Sequence, residues 1–443
     1  MSNGVSETSL NLIPAGYKQT EVGVIPEDWV IEKLGVIGKF KNGINKSADD
    51  FGYGYPFVNL MDVFGKPEII GDEYFGLINS TELDKKEYSL VQGDVLFIRS
   101  SVKPSGVGLT TVVMSDLMDT VYSGFLIRFR TDNQLVIEFK KHCFYEESFR
   151  NRVICASTIS ANTNINQDSL KDIYLVYPSS KKEQTAIANA LSDIDLLISE
   201  LEKLITKKQA IKTATMQQLL TGRTRLPQFV LREDGSKKGT KKSELGEIPE
   251  DWEVGTIGDN CKTYSGGTPS TSNKNFYGGD IKWITSSDLN LGVIHDVAGR
   301  ITDAGLNGSS AKLVATDTLL IALYGATAGV CAITRITAAI NQAVLAIVPA
   351  KYNSEYLFYW FTRYKEVIIE TYTQGGQPNL SGNIIRTIKL AFPPINEQTA
   401  IATILSDIDE EIQALEQRLS KTRQIKQGMM QELLTGKTRL VND

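Results

Sequence analysis

The 443-residue chain is too long for one ordinary domain and suits two or three. Its 42% apolar and 22% charged residues are those of a soluble globular protein, and a formal net charge of −5 removes any chain-wide basic signature. Four scattered cysteines without a CxxC pair argue against a zinc site or a disulfide framework and fit a reducing cytoplasm.

The opening MSNGVSETSLNLIPAG lacks a basic segment followed by an apolar core, so no secretory signal is expected. TEVGVIPEDW at 20–29 leads into a region, roughly 30–178, of short apolar runs such as DVLFIRS and GFLIRFR separated by glycine, serine and asparagine. That region reads as strand-rich, with a helix predicted over 137–154.

A helix follows over about 183–220. Ile187, Ile194 and Leu201 recur every seven residues, with Ala190, Leu197, Leu204 and Ile211 between them as an a/d stripe. Leu191, Ile198, Ile205 and Leu219 widen the apolar face, and SDID at 192–195 reads as a solvated face. Proline and glutamate mark the helix head in PSSKKEQ, and Gly222 follows the last periodic leucine as a C-cap. The lysine-rich 226–242 reads as an exposed linker.

The order then repeats. SELGEIPEDW at 243–252 returns the opener, and a second strand-rich region runs over 253–392 with a helix predicted at 354–372. Within it the uncharged TLLIALYGATAGVCAIT at 318–334 is marginal for a membrane span and is interrupted by glycine; it reads as two buried strands, LLIAL and VCAIT, around a turn. The closing helix, about 397–434, carries Ile401, Ile408, Leu415 and Met429 at the sevenfold spacing, with Ile404 and Ile425 between them, and ends at Gly436. Residues 183–226 and 397–440 align without a gap at 26 identities in 44 positions. Length and the sevenfold repeat favour a pair of helices over a helix buried in one domain. The pairing set is Ile187, Ile194, Leu201, Ile211, Ile401, Ile408, Leu415 and Ile425, and tandem duplication predicts that the helices run antiparallel. The two strand-rich regions align only in outline, with GDVLFIRSS at 93–101 opposite TDTLLIALY at 316–324, and Asn164 opposite Asn379. The frame is duplicated and its filling is not.

Chemistry is hard to find. His142 and His295 have no ligand-spaced partners, and no HExxH, GxSxG, P-loop or Asn-Pro-Pro-aromatic motif occurs. No catalytic residues and no metal site are expected. A tandem adaptor that binds protein or RNA through two variable domains on a helical spacer is an alternative that these observations leave open.

The ordered set of IPEDW, variable region, helix with EQ at its head and LLTG(R/K)TRL at its foot, appearing twice, resembles the specificity subunit of type I restriction-modification enzymes. The resemblance covers nearly the whole chain. It implies an α+β architecture: two globular strand-rich target recognition domains joined by two long conserved helices that form an antiparallel coiled coil, a pseudo-two-fold tandem repeat. The segments would be 1–178, first recognition domain with its N-terminal frame; 179–225, central helix; 226–242, linker; 243–392, second recognition domain; and 393–443, C-terminal helix. Each domain would read one half of a bipartite, asymmetric site in double-stranded DNA, with the helices as a ruler. Two methyltransferase subunits and motor-nuclease subunits would be partners. S-adenosylmethionine, ATP and Mg would sit on those partners and not on this chain.

Neither domain is basic in bulk: 16 Lys and Arg against 19 Asp and Glu over 32–177, and 11 against 11 over 251–392. Binding must therefore rely on local clustering, polar base-edge contacts or positive charge on the methyltransferase partners, and within each domain the candidates are loops whose residue types reach base edges and phosphates. The candidates are Lys41, Asn42, Lys46, Arg99, Ser101 and Lys103 in the first domain. In the second they are Tyr264, Ser265, Lys274, Ser286, Tyr324, Thr327, Gln377 and Asn379.

Overall fold

The structure, a computed structural model, describes residues 13–372 and 379–440. It divides into two compact units: residues up to Glu202 together with Arg418 onward, and Lys203–Gln417. Each unit takes the head of one long helix and the foot of the other, so the units cut across the sequence segments.

Unit 1 holds a five-stranded sheet in the order Gly38–Asn42, Leu126–Thr131, Val95–Ile98, Thr110–Val113, Glu68–Ile69. The four-residue run Val95–Ile98 is buried on both faces, which is why its sequence is continuously apolar and does not alternate. A second sheet orders Val121–Tyr122, Phe51–Val58, Gly76–Ile78, and a small third one orders Thr158–Ile159, Thr163–Asn164, Ser100–Ser101. Unit 2 repeats the plan. Its five-stranded sheet runs Cys261–Ser265, Val344–Pro349, Thr318–Ala322, Cys331–Thr334, Val293–Ile294, beside a four-stranded sheet containing Tyr277–Ile284 and Ala338–Ile340. The uncharged stretch at 318–334 is the buried pair Thr318–Ala322 and Cys331–Thr334, joined through a short 3-10 turn.

Each variable region is entered and left through one ribbon. Trp29–Lys33 pairs antiparallel with Tyr174–Pro178, and Glu253–Thr256 with Lys389–Phe392.

The helices span Lys181–Leu219 and Ile395–Leu433. Ion pairs fix their antiparallel sense within each unit: Asp195 with Lys426 (2.5 Å) and Glu202 with Arg423 (2.6 Å) in unit 1, Lys208 with Glu411 (2.7 Å) and Lys212 with Asp409 (2.5 Å) in unit 2. Half-exposed pairs of this kind set register more than stability, at about 0–1 kcal/mol each. SDID is thus not simply solvated, because its last aspartate faces the other helix.

Of the predicted pairing residues, Ile187, Leu201 and Ile401 are buried, while Ile194, Ile408 and Leu415 are half-buried. Ile211 and Ile425 are not in the seam: they are 41% and 47% exposed. The first helix buries the row Leu191, Ile198 (in part) and Ile205, leaving Leu197 and Leu204 outside. The buried face of the first helix thus combines the sevenfold row through Ile187 with a companion at i+4 and not at i+3. Apolar residues occupy both positions, so periodicity alone does not choose between them. Near Ile211 and Ile425 the seam positions carry Lys208, Lys212, Thr422 and Lys426, with Thr422 buried.

The helix predicted over 137–154 is two, Ile137–Cys143 and Glu147–Cys155. The Glu146 carboxylate accepts from the Ser148 and Phe149 amides, capping the second helix and breaking the run. The helix at Ser354–Tyr372 has the predicted bounds. The 226–242 stretch, though exposed, is tied down: Arg232 pairs with Glu250 and Lys238 with Asp251, both at 2.7 Å.

The main core of unit 1 joins Phe97, Phe129, Phe139, Phe144 and Phe149 to Ile187 and Leu191 from one helix head and Leu433 and Leu434 from the other helix foot. In unit 2, Leu319, Ile321, Tyr356 and Phe361 join Met216, Leu219, Ile401 and Leu405.

Candidate nucleic-acid interface

The repeated words of the sequence are the parts of one closure, built twice. In unit 1 the buried Glu183 accepts from the Trp29 indole (3.3 Å) and from Arg439 Nε (2.5 Å) and Nη2 (2.8 Å), while Arg439 also grips Asp28 bidentately at 2.9 and 2.7 Å. In unit 2, Glu397 accepts from the Trp252 indole (3.1 Å) and from Arg225, which grips Asp251 at 2.8 and 3.0 Å. Opener, helix head and helix foot therefore meet through EDW, EQ and TRL. Arg439 holds the Asp28 carboxyl below the ordinary carboxylate range, against a smaller effect of burial. Burial alone would raise the Asp251 carboxyl, but Arg225 and Lys238 outweigh it and lower it. The adjacent glutamines brace the variable domains: Gln184 accepts from the Val136 amide (2.8 Å), and Gln398 from the Asn353 amide (3.0 Å). Gly222 and Gly436 end the helices at φ +68° and +72°, and a Cβ at either would sit 2.6 or 2.5 Å from Pro249 or Pro26. Only glycine fits both the backbone and the space.

The divergent loops collect elsewhere, at one end of each five-stranded sheet. In unit 1 the Ile44 amide donates to Tyr122 O (2.8 Å), Ser123 to Val58 O (2.9 Å), Arg99 to Phe125 O (2.9 Å) and Ile165 to Arg99 O (2.9 Å). Unit 2 makes the same set: Gly267 to Ile340 O (3.1 Å), Asn341 to Ile284 O (3.1 Å), Leu323 to Ala343 O (2.8 Å) and Leu380 to Leu323 O (2.6 Å). Asn164 pairs with Ser100 and Asn379 with Tyr324, so the two asparagines occupy equivalent places. These ladders equate Ile98 with Ala322, one residue out of step with the alignment read from sequence. Gly43 and Gly266 coincide too: a Cβ would lie 2.1 Å from Ser123 O or 1.8 Å from Ile340 O, so glycine lets the loop cross the strand end.

Lys41, Asn42, Arg99 and Ser101 lie on or just beyond strands that end in this cluster, with Lys103 two residues further on. Lys41 is ion-paired to Glu87 at 2.5 Å and Lys46 to Asp84 at 3.1 Å. Arg99 and Lys103 form no ion pair among the described residues, which leaves them the better phosphate or base-edge groups of the four. Arg150, from the helix after Glu146, braces the Lys103 loop by donating to Ser105 O (3.1 Å) and Val107 O (2.6 Å). In unit 2, Tyr264, Ser265, Ser286, Tyr324, Thr327 and Asn379 come together at the equivalent end. Lys274 does not. It precedes the strand Tyr277–Ile284, whose far end leads to Ser286. Gln377 lies outside the described residues. Sequence reasoning missed two turns of the cluster, Ser123–Phe125 and Asn341–Ala343, where Gln342 accepts from the Thr268 hydroxyl. Their sequence signal is a position immediately before a strand whose first four residues are buried, LIRF in one unit and VLAI in the other.

A model of the type I restriction modification DNA specificity domain matches residues 26–213 and 249–425. A putative type I restriction enzyme MjaX specificity subunit from Methanocaldococcus jannaschii is 27% identical over 435 residues, covering 96% of this chain and 97% of the relative. The MjaIX specificity subunit of the same organism is 34% identical over 179 residues, 39% of this chain and 41% of the relative. Among solved structures, the S subunit of a type I restriction-modification system from M. genitalium superposes with a TM-score of 0.55 at 15% identity, over 91% of this chain and 96% of that one.

Proposed function

Because the chain belongs to the type I restriction-modification DNA specificity family, we infer that it is the DNA-reading subunit of a restriction-modification complex. Its two units each read one half of a bipartite, asymmetric site. The observation that carries this reading is the separation of constant from variable parts: identical closures hold the frame, and equivalent strand ends present different side chains. Identical ends would read a palindrome; different ends read two different half-sites.

The chemistry available at those ends is hydrogen bonding and charge. Arg99 and Lys103 offer cations to phosphate or guanine, while Ser265, Ser286, Tyr324 and Asn379 offer neutral donors and acceptors to base edges. The chain itself does no bond-making. Two methyltransferase subunits dock on the helical frame and supply S-adenosylmethionine chemistry, and motor-nuclease subunits add ATP- and Mg-dependent steps, in the cytoplasm. The adaptor alternative is not supported by the family.

The test is methylome sequencing of cells expressing this chain with its methyltransferase partner. The expected motif has two unlike blocks separated by a fixed spacer. Exchanging residues 30–178 for those of a relative should change one block only. A motif in which both blocks change would count against one unit per half-site.

A further inference from the structure

At the readout end of unit 1, Arg99 and Phe125 are neighbours. The Arg99 amide donates to Phe125 O at 2.9 Å, and the guanidinium Nη1 lies 3.4 Å from Gly124 O. Arg99 carries no ion pair among the described residues. Phe125 is 57% exposed, yet its turn is held by backbone bonds from Gly124 to Ile44 O and from Leu126 to Ser123 O, both 2.9 Å. Ile159 is exposed on the adjoining small sheet, where it pairs with Thr163 and Thr163 with Ser101, and Val102, the residue after that strand, is exposed too. This end of the unit thus joins a free cation to an apolar rim. The equivalent positions of unit 2 are Leu323 and Ala343, both buried at 6% and 5% exposure. The pair belongs to the variable filling of one unit and is not a requirement of the fold.

A phenyl ring fixed in water gains by being covered. On the major-groove edges of the bases the apolar group is the thymine C5 methyl, and guanine N7 and O6 match a guanidinium. Adjacent strand ends lie about 4.8 Å apart and stacked base pairs about 3.4 Å, so side chains from the two ends reach the same or neighbouring base pairs. We propose that Arg99 and Phe125 make unit 1 read a guanine beside a thymine, with the Phe125 ring against the thymine methyl. The proposal rests on the DNA-reading function inferred above.

The experiment uses the chain in complex with its methyltransferase partner and duplexes carrying the site found by methylome sequencing. Each thymine is replaced in turn by deoxyuridine, which lacks only the methyl. One thymine, in one half-site, should show binding weakened about fourfold, the effect of one buried methyl group. Phe125→Ala should lose at least as much on the unmodified duplex and become indifferent to deoxyuridine at that position, while its behaviour towards the other half-site stays wild-type. Arg99→Gln should relax the choice of the neighbouring base pair. A half-site affected by Phe125→Ala in which no thymine is sensitive to deoxyuridine would overturn the proposal and point to insertion of the ring between base steps. So would a Phe125→Ala complex that still distinguishes thymine from deoxyuridine. Failure of the wild-type complex to bind the bipartite site at all would instead count against the DNA-reading function.

Discussion

Glu183 is 1% exposed and its charge is balanced by Arg439 from the far end of the sequence. Arg439→Met leaves that charge buried with only the Trp29 indole, which should cost about 3–5 kcal/mol; adding Glu183→Gln should recover part of the loss in urea unfolding. His142 gives a pH prediction. It is buried, its Nε2 lies 3.2 Å from Ser192 Oγ, and Asp195, Lys426 and Lys141 face it. Burial pushes its pKa down to about 4 from 6.5, with Asp195 opposing and the lysines assisting. The folded chain holds the imidazole neutral, so the unfolded chain takes up the proton first as pH falls. This contribution is full above pH 6.5 and is lost between 6.5 and 4, on the order of 2 kcal/mol by pH 5. His142→Gln should therefore flatten the pH dependence of unit 1 unfolding over that window, and an unchanged slope would show that burial does not set the proton affinity.

At the scale of elements, the long helices separate positions that the heptad pattern treats alike. Leu201 is buried in the seam and Ile211 is exposed. Leu201→Asp should cost several kcal/mol by burying an uncompensated charge, whereas Ile211→Asp should stay within about 0.5 kcal/mol, as for an ordinary surface substitution. Thermal midpoints of the two variants distinguish them directly, and equal losses would place Ile211 in the seam. The break at Glu146 is instructive in the same way. Periodicity continues through 137–154, but a side-chain carboxylate placed to cap two amides ends one helix and starts another.

At the scale of the whole molecule, the C-terminal residues belong to the compact unit that contains the N-terminal ones. Leu433, Leu434 and Arg439 complete the core and closure of unit 1. Truncation after Gln417 should therefore open the first variable domain to proteolysis and hydrogen exchange and leave the second, whose closure uses Arg225, protected. Loss of protection in the second domain instead would contradict this division.

The sequence by itself determined what is periodic or repeated: two copies of a frame, two helices of about the right length, the glycine stops, the buried strand pair at 318–334 and the equivalence of Asn164 with Asn379. Such signals are local, since a helix or strand is specified by residues a few positions apart. The candidate site was legible only in part. Arg99, Ser101, Tyr264, Ser265, Ser286, Tyr324 and Asn379 were recognisable as polar loop residues, but Lys274 looked the same and lies at the other end of its strand. Lys41 and Lys46 were legible as cations, but not as the partners of Glu87 and Asp84. Phe125 was not legible at all, because a phenylalanine inside the run GFLIRFR looks like core until the strand order places it at an exposed turn. The tertiary structure decided these, together with the choice of i+4 over i+3 in the seam and the meeting of EDW, EQ and TRL. Each depends on contacts between residues tens to hundreds of positions apart, and neither periodicity nor propensity encodes such distances.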